Sequence, residues 1–253
     1  MSQKKSIKSV GIMGFGAFGR LITTHLKDHF TICVHDPSIL STPNTELFCS
    51  VERVASCDVV VLAVPVGQFE NAIIALKPHL KKGCIVVDVG SVKLKPVEIM
   101  LAELPEHVDI IGTHPLFGPQ SAKAGIAGCK VAVCPVRGKS TFRIAAFLKK
   151  ALGLNVIIST ADQHDKEAAV VQGLTHLIAR ILVRMEPLPR NMTTASFDLL
   201  LDAIEMVRHD SEDVYKAIEQ ENPHAENIRN MFFDKANEVL SEMNDAAPLV
   251  KSA

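Results

Sequence analysis

Short apolar runs alternate with stretches of helical spacing as far as Ile158, and the alternation then stops. Ser9 to Met13 is an apolar run, and Leu21, Ile22 and Leu26 recur at helical spacing after it, so a strand followed by a helix is predicted. Phe30 to Val34 reads as a second strand, followed by a Ser/Thr/Pro/Asn-rich connection beyond Asp36. Val59 to Val64 and Ile85 to Asp88 are continuous β-branched runs, the pattern of strands buried on both faces. Gln68 to Leu80 and Pro96 to Leu104 are predicted as the intervening helices, and Asp109 to Thr113 as the next strand. Lys130 to Cys134, a helix from about Ser140 to Leu152, and Asn155 to Ile158 complete the set, the last strands running antiparallel. Such alternation predicts an α/β fold with a doubly wound, mainly parallel sheet.

From Ala161 the pattern changes to amphipathic helices: Asp165 to Met185, Ser196 to Val207, Ser211 to Gln220 and His224 to Met243. The expected division is a sheet domain over 1–159, an all-helical domain over 160–246 and a flexible tail over 247–253. A helical domain this small, with this much aliphatic surface, calls for a partner, and a homodimer through these helices is expected.

The first turn carries chemistry. Gly14-Phe15-Gly16-Ala17-Phe18-Gly19 lies between a predicted strand and a predicted helix, the setting of a dinucleotide-binding Rossmann fingerprint. Gly14 would allow the turn, Gly16 would let backbone approach a pyrophosphate at the helix N-terminus, and Gly19 would let helix and strand pack closely. Asp36 follows the second strand about 20 residues on, where a ribose-binding acid belongs. Its carboxylate would accept both ribose hydroxyls and repel the additional phosphate of NADP, so NAD is favoured over NADP. The plainer reading is that Asp36 opens a turn with Pro37 and Ser38.

Composition narrows the class. The formal net charge of -1 over 253 residues argues against a nucleic-acid partner. Mean hydropathy is +0.21, yet every apolar stretch ends well short of the ~20 residues of a membrane span. Met-Ser-Gln-Lys-Lys lacks the apolar segment of a signal peptide, so a cytoplasmic location is expected. Cys33, Cys49, Cys57, Cys84, Cys129 and Cys134 contain no Cys-x-x-Cys pair and mostly sit among apolar residues, as reduced core thiols do.

In an open parallel sheet, ligands bind at the carboxyl ends of the strands. The glycine turn, Val64-Pro65-Val66-Gly67, Val89-Gly90-Ser91-Val92-Lys93 and Thr113-His114-Pro115 all fall there. Pro115 biases His114 toward an extended conformation, and glycines and prolines flank it on both sides. An acid-base histidine at a strand end is therefore expected, titrating through roughly pH 6 to 7. His25, His29, His79 and His107 read as surface or packing residues.

Asp88-Val89-Gly90-Ser91-Val92-Lys93 followed by Gly112-Thr113-His114-Pro115-Leu116-Phe117-Gly118-Pro119 resembles the prephenate and arogenate dehydrogenases, the oxidative enzymes of tyrosine biosynthesis. The resemblance runs from about Val10 into the last long helix. Gln163-His164-Asp165, Gln172-Gly173-Leu174-Thr175-His176 with Arg180, and Asp210-Ser211 with Tyr215 are most similar to the plant-type arogenate branch. The resemblance implies oxidative decarboxylation of a cyclohexadienol, giving tyrosine from arogenate or 4-hydroxyphenylpyruvate from prephenate. It implies His114 as the base, Ser91 as a residue steadying the imidazole or the hydroxyl, and Lys93 as a structural residue. The implied cofactor site comprises Gly14, Phe15, Gly16, Ala17, Phe18, Gly19, Asp36, Val64 and Pro65.

Substrate contacts are expected from Ser91, His114, His176, Arg180 and Asp210. Arg180, four residues after His176, is the candidate for a substrate carboxylate, with a solvated helix arginine as the alternative. Asp210 would pair with the ammonium of arogenate or would cap the next helix. Many bacterial prephenate dehydrogenases carry an arginine in the segment corresponding to Ser196 to Val207, and this chain has none there. Neither a chorismate mutase segment before Gly14 nor a regulatory domain after the last helix is expected. Two other readings remain: a β-hydroxyacid-dehydrogenase-like oxidoreductase, suggested by Gly11 to Gly16, although Lys166 lacks that family's glycine-rich surroundings; and a non-catalytic dinucleotide-sensing regulator.

Overall fold

The computed structural model describes residues 6–39 and 47–245. Part of the connection beyond Asp36 and the tail expected at 247–253 lie outside the described residues. Contacts divide the chain after His164, a few residues beyond the boundary expected at 159/160.

The sheet unit contains β1 (Ser9–Met13), β2 (Thr31–His35), β3 (Val59–Leu62), β4 (Ile85–Asp88), β5 (Asp109–Pro115), β6 (Lys130–Arg137) and β7 (Asn155–Ile158). Their order is β2-β1-β3-β4-β5-β6-β7. β1 to β5 are mutually parallel, β6 pairs antiparallel with β5, and β7 runs parallel to β6, so the last two strands do oppose the rest. The continuous apolar runs become the fully covered strands: all four residues of β3 and all four of β4 are buried. Their aliphatic side chains stabilise the fold by roughly 1.5–3 kcal/mol each. The helices of this unit are α1 (Ala17–Leu26), α2 (Val51–Ala55), α3 (Phe69–Leu76), α4 (Leu94–Glu103) and α5 (Thr141–Lys150).

α2 falls in a stretch expected to be irregular. Ser50 caps it, its hydroxyl accepting from Arg53 N, and Val54 presses against β1. A Cβ on Gly11 would lie 2.6 Å from the Val54 carbonyl oxygen, so the approach requires glycine at that strand position.

A continuous helical run crosses the division: α6 (Ala161–Ala168), a wide π-type turn (Ala169–Gly173) and α7 (Leu174–Arg184). The helical unit adds α8 (Ala195–Val207), α9 (Glu212–Lys216), a second π-type turn (Ala217–Glu221) and α10 (Ala225–Asp245). The two π-type turns pack against each other, and the Glu219 carboxylate lies beside Gly173. None of the described helices is long and apolar enough to cross a membrane. All six cysteines are free thiols, four of them buried.

Candidate active site

The glycine turn is built as its spacing predicts. Gly14 sits at φ +97°, and a Cβ there would lie 2.6 Å from the Ala63 carbonyl oxygen, so the turn packs tightly where the chain leaves β3 toward Val64 and Pro65. Gly19 approaches the Gly14 carbonyl so closely that a Cβ would meet it at 2.3 Å. Gly16 is different: a Cβ there meets nothing within 4 Å. It is the N-cap of α1 and supplies no side-chain cap, so the first-turn N–H groups face an open space suited to an anion. A pyrophosphate fits this cradle. Ala17 and Phe18 form the first turn of α1, and the Phe18 ring lies 6.3 Å from that of Phe117, three residues after His114. The cradle and the His114 segment therefore share one end of the sheet.

Asp36 opens the turn with Pro37 and Ser38, as the plainer reading expects. Its Oδ2 accepts the Phe15 N–H at 2.7 Å and its Oδ1 accepts the Ser38 N–H at 2.9 Å and hydroxyl at 2.6 Å. Burial raises its pKa, but these hydrogen bonds outweigh it and hold the carboxyl below its ordinary value. Protein donors thus take three of about four acceptor positions.

Beneath the strand ends lies a dry ion pair. Asp88 and Lys93 are both fully buried and in direct contact. Lys93 Nζ also donates to the Thr113 carbonyl at 2.6 Å, the Thr113 hydroxyl donates to the Asp88 carbonyl at 2.6 Å, and Gly90 N donates to Asp88 Oδ1 at 3.0 Å. Burial pushes the Asp88 carboxyl upward despite Lys93, and its Oδ2 has no hydrogen-bond partner. The network clamps the ends of β4 and β5 together immediately before His114. Lys93 therefore occupies a structural position. Gly112 lies against this pair: a Cβ there would sit 3.4 Å from both Lys93 Cδ and Asp88 Oδ2.

His114 is 4 % exposed, extended within β5 and paired with Ala132 of β6. Burial, then the nearby His164 and Lys93, pushes its pKa well below that of an ordinary histidine. A neutral, buried imidazole at neutral pH is suited to accept a proton. The ring that meets His114 Nδ1 is His164, at 2.8 Å; Ser91, expected to steady it, lies half-buried in the turn after β4. In the sequence His164 stands out only within Gln163-His164-Asp165. The available signal was a His-Asp pair opening a helix directly after the last strand.

In the helical unit, His176, Asp210, Tyr215, Arg180 and Glu212 form a second cluster. His176 is buried, its Nε2 3.5 Å from Asp210 Oδ2. Burial and the nearby Arg180 lower the His176 pKa, so the long contact with Asp210 does not hold it charged. Partial burial raises the Asp210 pKa. Asp210 is not the cap of α9; Ser211 is, its hydroxyl accepting from Val214 N. Arg180 stacks over the Tyr215 ring at 3.5 Å and pairs with Glu212, so it already has an anionic partner within the chain.

A glycine cradle at a helix N-terminus, an acidic residue just after the second strand and a buried histidine at the strand ends define a Rossmann-type nucleotide-binding domain. The family model for the prephenate dehydrogenase nucleotide-binding domain matches residues 45–158. The chain is 32% identical over 197 residues to a cyclohexadienyl dehydrogenase of Zymomonas mobilis, covering 70% of this chain and 67% of that protein. It is 29% identical over 230 residues to arogenate dehydrogenase 1, chloroplastic, of Arabidopsis thaliana, covering 85% and 36%. The fold matches a prephenate dehydrogenase from A. aeolicus, solved with hydroxyphenyl propionate and NAD+, with a TM-score of 0.73, 22% identity and coverage of 96% and 94%. The chain belongs to the prephenate and arogenate dehydrogenase family. It spans about half the length of the curated relatives it matches.

Proposed function

We propose that the chain catalyses NAD-dependent oxidative decarboxylation of arogenate, with prephenate as the second substrate. The observation that carries this is His114: a buried histidine at a strand end, depressed in pKa, on the sheet end that bears the glycine cradle. When bound, the nicotinamide supplies the hydride acceptor. Gly14 to Gly19 hold the pyrophosphate, with Val64 and Pro65 beside them. Asp36 faces the ribose, and its anionic state disfavours the additional phosphate of NADP.

His114 accepts the proton of the ring hydroxyl as the hydride leaves the carbon that bears it. The ring carboxylate departs as carbon dioxide, its bonding pair entering the ring, and His114 returns the proton to the phenol oxygen. Aromatisation drives the reaction, so these residues chiefly orient the substrate and relieve developing positive charge. Ser91 contributes a hydroxyl at the same strand ends. For substrate recognition we assign His176, Arg180 and Asp210. Arg180 keeps further N–H groups for a carboxylate beyond its pair with Glu212, and the acidic Asp210 suits the ammonium that arogenate carries and prephenate lacks. A second copy of the chain covers the apolar faces of α8 and α10, where Leu199, Leu240 and Met243 stand exposed.

The test is stoichiometry: NADH, carbon dioxide and an aromatic product should appear one for one when purified protein is given NAD with arogenate or prephenate. NADH without carbon dioxide would favour a simple hydroxyacid oxidation, and no NADH with either substrate would overturn the reading.

A further inference from the structure

The His114 and His164 rings meet edge to face, Nδ1 to Nε2 at 2.8 Å, with the planes 68° apart and both rings buried. Fifty positions separate them in sequence. Sheet order brings them together: β5 carries His114, β6 and β7 lie beyond it, and α6 begins as the chain leaves β7. The first turn of α6 is fixed by Thr160, whose hydroxyl accepts Gln163 N at 3.1 Å and whose carbonyl accepts His164 N at 3.0 Å. His164 is thus held by a capped helix start.

Two ring nitrogens this close cannot both carry a proton. If His164 Nε2 donates, neutral His114 carries its own proton on Nε2 and is useless there as a base. If His114 Nδ1 donates, its Nε2 presents a lone pair, and the same hydrogen bond survives after Nε2 has taken a proton. We propose that His164 is a positioning residue that holds His114 in the Nδ1-protonated tautomer, so that Nε2 meets the substrate hydroxyl as a base. This role rests on the dehydrogenase reading above. An imidazole in this place differs from the carboxylate that orients many catalytic histidines: it fixes the tautomer without adding negative charge. The charged groups beneath β5 are the Lys93 ammonium, held on Asp88 and the Thr113 carbonyl, and the Asp88 carboxyl itself.

The experiment compares His164→Phe, which keeps a ring but has no nitrogen, with His164→Gln, which presents an amide oxygen. The Phe variant should lose about 10–10³-fold in kcat, as loss of a tautomer-setting acceptor does, with KM and the NAD dissociation constant within about twofold of the parent. The Gln variant should recover most of that loss. A Phe variant with parental kcat, or a Gln variant no better than Phe, would overturn the role. Should the Phe variant fail to fold, His164→Ala with imidazole in the buffer replaces it: turnover that rises with imidazole supports the role, and no response overturns it. Wild-type protein that turns over neither arogenate nor prephenate would instead overturn the dehydrogenase reading itself, and this role with it.

Discussion

The sheet unit and the helical unit treat charge and apolar surface in opposite ways. In the sheet unit the Asp88–Lys93 ion pair is fully buried, and the valines of β3 and β4 are covered. In the helical unit Arg180–Glu212 and Arg208–Glu186 lie toward the surface, while Met192 is 95 % exposed and Leu199 70 %. Strands β3 and β4, covered on both faces, make a dry and rigid floor beside the strand end that carries His114. Helices with one apolar side still outward require another surface.

The largest effect is expected at His114. His114→Asn should lower kcat by about 10²–10⁴-fold with little change in NAD affinity, measured by steady-state kinetics and cofactor titration; parental turnover would remove it from the chemistry. The pH profile adds detail. An exposed histidine titrates near ~6.5, but burial, with His164 and Lys93, depresses His114, so the neutral base persists to lower pH and the acid limb of kcat/KM should lie below that point. That is lower than the window of 6 to 7 expected from sequence. The same sign governs stability. The unfolded chain takes up the proton first as pH falls, so the stability is fully present above ~6.5 and declines on acidification. A melting temperature that rises from pH 7 to pH 5 would contradict this.

Lys93→Met comes next. It leaves the Asp88 carboxyl buried beside an apolar chain and should cost about 3–5 kcal/mol, read from denaturant unfolding. A loss under ~1 kcal/mol would show that the clamp on β5 is not what steadies the site.

Much of this was legible in the chain. β3 and β4 announced themselves as unbroken β-branched runs, and Gly14, Gly16 and Gly19 had the spacing that a tight turn, an open cradle and a close helix require. α2 was not legible, because five residues are too few for a periodic pattern; its trace was Gly11, a glycine inside a strand. The role of Asp36 was half legible. Position alone marks an acid after the second strand, but only coordinates reveal that Phe15 and Ser38 already bind it. His164 was hidden for a different reason: its meaning lies in a contact across fifty positions that depends on the order of β5, β6 and β7.

Smaller effects test the other side of the comparison. Leu240→Glu with Met243→Glu on α10 should shift a dimer toward monomer in sedimentation, with the sheet unit's NAD binding preserved; an unchanged oligomer would move the interface elsewhere. Asp36→Ala should narrow the NAD-over-NADP ratio of kcat/KM by about tenfold, equivalent to ~1.4 kcal/mol. An unaltered ratio would mean that another residue reads the ribose.

The most direct measurement is kcat/KM for purified protein with arogenate and with prephenate, each offered with NAD and with NADP. The account predicts reduced nicotinamide with both substrates, the highest value for arogenate with NAD. No reduction in any of these combinations would contradict it.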